Sequence, residues 1–186
     1  AYCVWAKKIA DVNFSATVLS WDQETYMPEK GAKHRSQQIA TLSGISHELS
    51  TTKEAGQLLE KLCKDSSLTE KEKRNVVETQ RIYNELKKYT TEFVMKLSHT
   101  VSECFHAWHQ ARKENNFAVY RPFLEKLLAL KREECEILGY TKHPYDAMLN
   151  QYEPGAKTED LELVFKTVKE ELVPFVKTSK GISFLN

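Results

Sequence analysis

The sequence predicts an all-α protein, a multi-helix array with a long helical hairpin, and three observations predict it. Its 186 residues hold only 6 Gly and 5 Pro beside 27 Lys+Arg and 26 Asp+Glu, so chain breakers are scarce where helix-tolerant charged residues abound. Apolar residues recur at steps of three and four along most of the chain, the period of a helix with one buried stripe. Thr-x-x-Glu, the pattern of a capping box, occurs at Thr51–Glu54 and at Thr69–Glu72.

Taken in order, Trp5, Ile9, Val12, Ala16 and Leu19 mark a first helix that is already running near the N-terminus and ends before Pro28, which bars the residue before it from helical backbone. Ala32, Ile39, Leu42, Ile45 and Leu49 mark a second. The box at Thr51 opens a short third helix with Ala55, Leu58/Leu59 and Leu62/Cys63 as its stripe. After a polar break at residues 64–68, the box at Thr69 opens a very polar helix with Val76/Val77, Tyr83 and Leu86 on one side, the composition of one exposed arm of a helical hairpin. A long helix follows from Thr91 to Glu114, its stripe being Phe93/Val94, Leu97, Val101, Cys104/Phe105, Trp108 and Ala111. Residues 117–121 read as a connector and Pro122 as a first helical position, opening a helix that Gly139 closes with a left-handed cap. His143-Pro144 and Glu153-Pro154-Gly155 are turn signals around a short helix at Tyr145–Asn150. Thr158-Glu159-Asp160 caps a last helix carrying Leu161, Val164/Phe165, Val168 and Leu172, which Pro174 kinks or stops. Apolar residues persist to the end at Gly181–Asn186, where further packing is expected. No repeat, low-complexity tract or linker divides the chain, so residues 1–186 read as a single helical region.

Charge and cysteines exclude several functions. A formal net charge of +1 offers no footprint for nucleic acid or an anionic membrane. No apolar run reaches membrane-spanning length and the N-terminus has no signal-peptide core, so a soluble cytoplasmic protein is expected. Cys3, Cys63, Cys104 and Cys135 are widely spaced and read as reduced core thiols, not as a disulfide frame or zinc knuckle.

The Thr91–Glu114 helix also carries His99, Glu103, His106 and His109 along one side. Imidazoles and a carboxylate at one-turn spacing suit zinc, but residues several turns apart on one cylinder cannot converge on bonds of about 2 Å. Only a neighbouring pair such as Glu103 with His106 is able to share an ion, and a second element would have to complete the site. The plain reading is a buried Phe105 and Trp108 face bordered by hydrogen-bonded histidines. His47-Glu48-Leu49-Ser50-Thr51 approaches the zinc-hydrolase pattern His-Glu-x-x-His, but Thr51 replaces the second imidazole, and the dipeptide reads as a surface helix end. Glycine-rich phosphate loops are absent from the sequence, and no spacing nominates a Ser or Cys nucleophile.

Seven segments in order nevertheless resemble one family. They are Leu19–Pro28; Gly31-Ala32 with Arg35 and Gln38; Leu42-Ser43-Gly44 with His47-Glu48; Trp108 with Ala111-Arg112; Asn116-Phe117 with Pro122-Phe123-Leu124; Leu138-Gly139-Tyr140; and Tyr145–Leu149 followed by Tyr152–Gly155. This ordered set is similar to the N-terminal half of the carboxypeptidase Taq family of zinc-dependent metallocarboxypeptidases. The resemblance implies a helical fold around a substrate groove, a homodimer, and metal-dependent removal of residues from peptide C-termini, with zinc or another divalent metal held by a His-Glu-x-x-His helix and a later Glu. Those positions have no counterpart here, so no catalytic, cofactor-binding or metal-binding residue is carried over.

Within the resembling segments, Trp21 and Met27 read as a packed helix-to-turn junction, while Asp22 or Glu24 either caps or faces the groove. Arg112 reads as a salt bridge to a neighbouring helix, its planar fork being equally suited to a substrate carboxylate. Tyr152 and Gly155 read as a turn with positive φ at the glycine. The expected function is therefore the N-terminal portion of a metallocarboxypeptidase, inactive alone and acting on peptide substrates in the complete enzyme. The alternatives are a non-catalytic helical scaffold or dimerisation module and, third, a metal-binding bundle using Glu103 and His106.

Overall fold

Local signals decide where the helices start and stop in this protein, for which a computed structural model describes residues 1–179. The stretch Gly181–Asn186, where further packing is expected, lies outside the described residues. Eight α-helices occur among the described residues: α1 (Tyr2–Thr25), α2 (Ala32–Ser50), α3 (Lys53–Cys63), α4 (Glu70–Leu86), α5 (Thr91–Glu114), α6 (Phe117–Leu138), α7 (Tyr145–Leu149) and α8 (Thr158–Ser179), with a 3₁₀ turn at Glu29–Gly31. The all-α expectation holds.

Two compact units are present, residues 1–131 and residues 132–186. In the first, α1 and α2 form a hairpin that the sequence reading does not anticipate. Arg35 Nη1 reaches Asp22 Oδ2 at 2.5 Å, Ser46 donates to Asn13 Oδ1 at 2.6 Å, and Trp5 Nε1 donates to the Leu49 carbonyl at 2.8 Å. Partners that move down α1 as they move up α2 make the pair antiparallel. On its other side α2 meets α5, again antiparallel, through Ser43 with Ser98 at 2.9 Å and His47 with Thr91 at 3.1 Å.

Helix α2 is thus flanked by two helices, and its buried residues are Ser36, Ala40, Gly44, His47 and Ser50. The sequence pattern nominates a different set, Ile39, Leu42, Ile45 and Leu49, which lie half-buried or exposed. Close approach explains the substitution of small for large residues. A Cβ added at Gly44 would lie 2.8 Å from Met95 Cγ, so larger side chains would force the axes apart. Helix α1 has the expected face turned inward, with Trp5, Ile9, Val12, Ala16 and Leu19 half-buried, yet none of its residues is fully buried.

Helices α3 and α4 form a second hairpin, so the polar α4 pairs with the helix before it and not with α5 across the short Thr90-Thr91 connection that the sequence suggests. Tyr83 lies against Gly56 and donates to the Thr52 carbonyl at 3.4 Å. The outer side of α4 is knitted by Arg81, which pairs with Glu78 at 2.6 Å and Glu85 at 3.0 Å, so spacing of three and four supports a helix with few apolar residues. The box at Thr69 forms with both reciprocal bonds. The one at Thr51 does not: Thr52 caps α3 by accepting from Ala55 N, while the Thr51 hydroxyl donates to the His47 carbonyl at 2.8 Å. The preceding helix claims Thr51 first.

Asn115 ends α5 at φ 50°, in the left-handed region that Asn tolerates. Asn116 Oδ1 then accepts from Ala118 N at 3.1 Å, which starts α6 at Phe117. Residues 117–121 are therefore helix and not connector, and Pro122 sits inside α6 because this Asn cap acts five residues earlier. Likewise Pro174 neither stops α8 nor ends it, since α8 runs to Ser179.

In the second unit Gly139 and Gly155 adopt φ of 81° and 90°, as the turns require. Buried Asp146 accepts from Thr158 N at 2.8 Å and from the Thr158 hydroxyl, which ties α7 to the first turn of α8. These bonds hold the Asp146 carboxyl below its ordinary range. Leu163, Val164, Phe165, Val168 and Leu172 of α8 are exposed.

Candidate functional site

Helix α5 lines several clefts of the first unit with its polar side chains. The first lies where α5 faces α2 and the start of α6, holds about 350 Å³, and is lined by Lys33, Ser36, His99, Glu103, His106 and Phe123 among others. His99 Nδ1 is 3.4 Å from Glu103 Oε2, a pair one helical turn apart. His106 Nε2 is buried and has no hydrogen-bond partner among the described residues. Burial, and then the charge of His109, hold the His106 imidazole below its ordinary pKa, so the ring is neutral near pH 7. His109 itself is exposed.

These side chains do not form a metal centre: among the described residues no three His, Cys, Asp or Glu groups come together to hold an ion. The plain reading of the helix needs correction as well. Trp108 is 44% exposed, Phe105 is half-buried, and His106 lacks the hydrogen bond expected of it. Burial on α5 goes instead to Phe93, Ser102, Cys104, Ala107 and Ala111.

His47 also departs from expectation. It is buried, with Nε2 3.0 Å from the Leu86 carbonyl and Nδ1 3.1 Å from Thr91 Oγ1. A carbonyl only accepts, so Nε2 carries the proton and Nδ1 receives the Thr91 hydroxyl. The imidazole fastens α2 to the end of α4 and the start of α5.

At the α1–α2 junction Asp22 is held by Arg35, whose Nη1 also donates to the Leu19 carbonyl at 2.8 Å, and Glu24 is exposed. Trp21 is exposed and packs edge-on against exposed Tyr26, with ring centroids 5.4 Å apart, so only Met27 of the expected packed pair is partly covered. Tyr152 is exposed too. Of the cysteines, Cys104 and Cys135 are buried in the core, whereas Cys3 and Cys63 are exposed, and none of the four is in a disulfide.

The second cleft, about 520 Å³, lies between the end of α5 and the start of α6 and is lined by Trp108, Arg112, Asn115, Phe117 and Tyr120 among others. Arg112 makes no ion pair or hydrogen bond through its guanidinium among the described residues, so the salt bridge expected of it is not there. A signal for this stands in the sequence. The positions three and four away on the helix are Trp108, His109, Asn115 and Asn116, none of them an acid. The Cys104 thiol beside Tyr120, and then burial, hold the phenol above its ordinary pKa.

Comparison with known proteins finds relatives along most of the chain. The chain is 34% identical over 170 residues to thermostable carboxypeptidase 1 of Pyrococcus furiosus, covering 91% of this chain and 34% of that protein. The crystal structure of BsuCP matches with a TM-score of 0.91 at 28% identity, over 95% of this chain and 36% of BsuCP. The structure of CHT matches with a TM-score of 0.77 at 41% identity, over 100% of this chain and 38% of CHT. The chain spans about a third of the length of the curated relatives it matches, less than the half that the sequence resemblance implies. The model of the carboxypeptidase Taq (M32) metallopeptidases matches residues 2–184, and the chain belongs to that family.

Proposed function

We propose that residues 1–186 are one helical region, the N-terminal portion of a zinc-dependent carboxypeptidase that removes residues from peptide C-termini. The observation that carries this reading is the family match over residues 2–184, which leaves about two thirds of the relatives' length without a counterpart in this chain. The His-Glu-x-x-His pattern, in which two imidazoles hold zinc and a carboxylate activates water, does not occur in the sequence. In the complete enzyme this region forms a wall of the substrate groove, and the protein is a cytoplasmic homodimer. Alone it does not hydrolyse peptides. Among the described residues no helix is long and apolar enough to cross a membrane, in keeping with that location.

A second reading, a helical scaffold or dimerisation module, is favoured by one observation: α1 has no fully buried residue and exposes Val4, Phe14, Val18 and Trp21. One experiment separates the two. The purified chain and a version extended to the relatives' length are incubated with zinc and a mixed peptide panel, with and without chelator, and products are weighed by mass spectrometry. Stepwise C-terminal shortening by the extended chain alone, stopped by chelator, is the expected result. Shortening by neither supports the scaffold, and chelator-sensitive shortening by the 186-residue chain would overturn its predicted inactivity.

A further inference from the structure

We infer that the outer face of α1 is a seam for a second copy of this chain, with the two α1 helices antiparallel and Phe14, Val18 and Trp21 of each copy packed against those of the other. The first support is where these side chains stand. Spaced by four and then three residues, they form one line along the helix, and they are 68, 62 and 56% exposed. The half-buried Trp5, Ile9, Val12, Ala16 and Leu19 lie on the opposite side of the same helix, none of whose residues is fully buried. One apolar line of α1 is thus turned inward and a second is left without cover.

The second support is the charge along the helix, which selects the occupant and its direction. Exposed Lys7 and Lys8 precede the apolar line, while Asp22 and exposed Glu24 follow it. Two α1 helices lying in the same direction would set like charges together. In opposite directions they set the basic end of each copy beside the acidic end of the other, twice over by symmetry. The helix dipoles favour the antiparallel pair as well. Arg35 already holds Asp22, so Glu24 is the acid presented to a lysine of the second copy.

The third support is that one register meets both demands. With Phe14 set against Val18 of the second copy, Asp11 comes opposite Trp21, whose indole N–H is a donor suited to a carboxylate, and Lys7 comes within reach of Glu24. Trp21 is already steadied by Tyr26, edge-on at 5.4 Å, and a large aromatic ring held in place before docking makes an effective anchor for an interface. Helix α8 exposes more apolar surface, but its exposed Leu163, Val164 and Phe165 are consecutive, point about 100° apart and define no single seam. The seam gives a face to the homodimer of the proposed function and rests on that clause of the reading, not on the peptidase activity.

The test is sedimentation equilibrium of the 186-residue chain over a concentration series, with circular dichroism of each variant to show that its helices are intact. A monomer–dimer equilibrium is expected, weakened about thirtyfold by Trp21→Ala. Lys7→Glu and Glu24→Lys should each weaken it about tenfold at low salt, and the chain carrying both changes should recover the dissociation constant of the parent. The two positions lie about 25 Å apart along one helix, too far to touch within a chain, so recovery reports a pair formed between copies. A monomer at every concentration, a dimer unmoved by Trp21→Ala, or a doubly changed chain that binds no better than the single variants overturns the seam. A dimer unmoved by Trp21→Ala leaves the homodimer of the proposed function standing on another face, and a monomeric extended chain removes seam and homodimer together. The expected pattern in a chain whose extended version shortens no peptide keeps the seam and removes the peptidase.

Discussion

His47 shows how much one side chain contributes when both of its ring nitrogens are used. Removing it leaves the Leu86 carbonyl and the Thr91 hydroxyl facing a void in a buried place, and an unmet buried polar group costs about 1–3 kcal/mol. His47→Ala is accordingly expected to lose about that much stability in urea unfolding followed by circular dichroism. His47→Gln, whose amide both donates and accepts, should recover part of the loss, and equal losses in the two variants would show that the bridge contributes nothing. The sequence signal at this residue was misleading: His-Glu at the end of a helix suggests a solvent-exposed pair, and burial came from Thr91 and Leu86, about forty residues away. Arg112 was more legible, because the absence of an acid three or four residues away can be read directly from the chain.

Pairs of helices depend on small residues at the points of closest approach. In the α3–α4 hairpin a Cβ at Gly56 would stand 2.4 Å from Tyr83 Oη and 2.9 Å from Cζ, well inside contact distance. Gly56→Ala is expected to destabilise the chain by about 1–3 kcal/mol through this overpacking, and Tyr83→Leu in the same chain should remove most of the difference. Additive effects in the double-mutant cycle would contradict the contact. Helix existence and most boundaries were legible, since caps, prolines and left-handed glycines act within a few residues. The buried face of α2 was not, because apolar periodicity has no term for Ser36, Ala40 and Gly44, which are buried by the nearness of two other helices. Their own spacing of four was the available sign.

For the molecule as a whole, the titrating groups divide the pH dependence of stability into two steps. The His106 imidazole has a lowered pKa in the folded chain, so its neutral form is favoured there and the unfolded chain binds the proton more readily. Its contribution is complete above about pH 6.5, the ordinary value for histidine, and declines as pH falls below it. Glu72, bonded by the Thr69 side chain and backbone, and Asp146, bonded in the same way by Thr158, have lowered pKa values and contribute above the ordinary carboxylate range; that part is lost as pH falls through their folded values. Urea unfolding at pH 7.5, 5.5 and 3 should show both declines, and His106→Phe should remove only the upper one. A variant with the same fall between pH 7.5 and 5.5 as the parent would assign that step elsewhere. At this scale the family was also legible, through seven short segments in order, whereas the share of the relatives' length spanned was not.

The sequence by itself determined the fold class and the positions of the helices, because each rests on bonds or spacings that close within one or two turns, and it determined the membership in a metallopeptidase family through the order of seven short segments. Tertiary structure alone decided which polar groups are buried and which charges are left without a partner. Ser102 finds Gln23 across 79 residues, His47 finds Thr91 across 44, and Arg112 finds none among the described residues. Burial and pairing are properties of the neighbours that helix packing delivers, and helical periodicity records only the side of each helix that faces them.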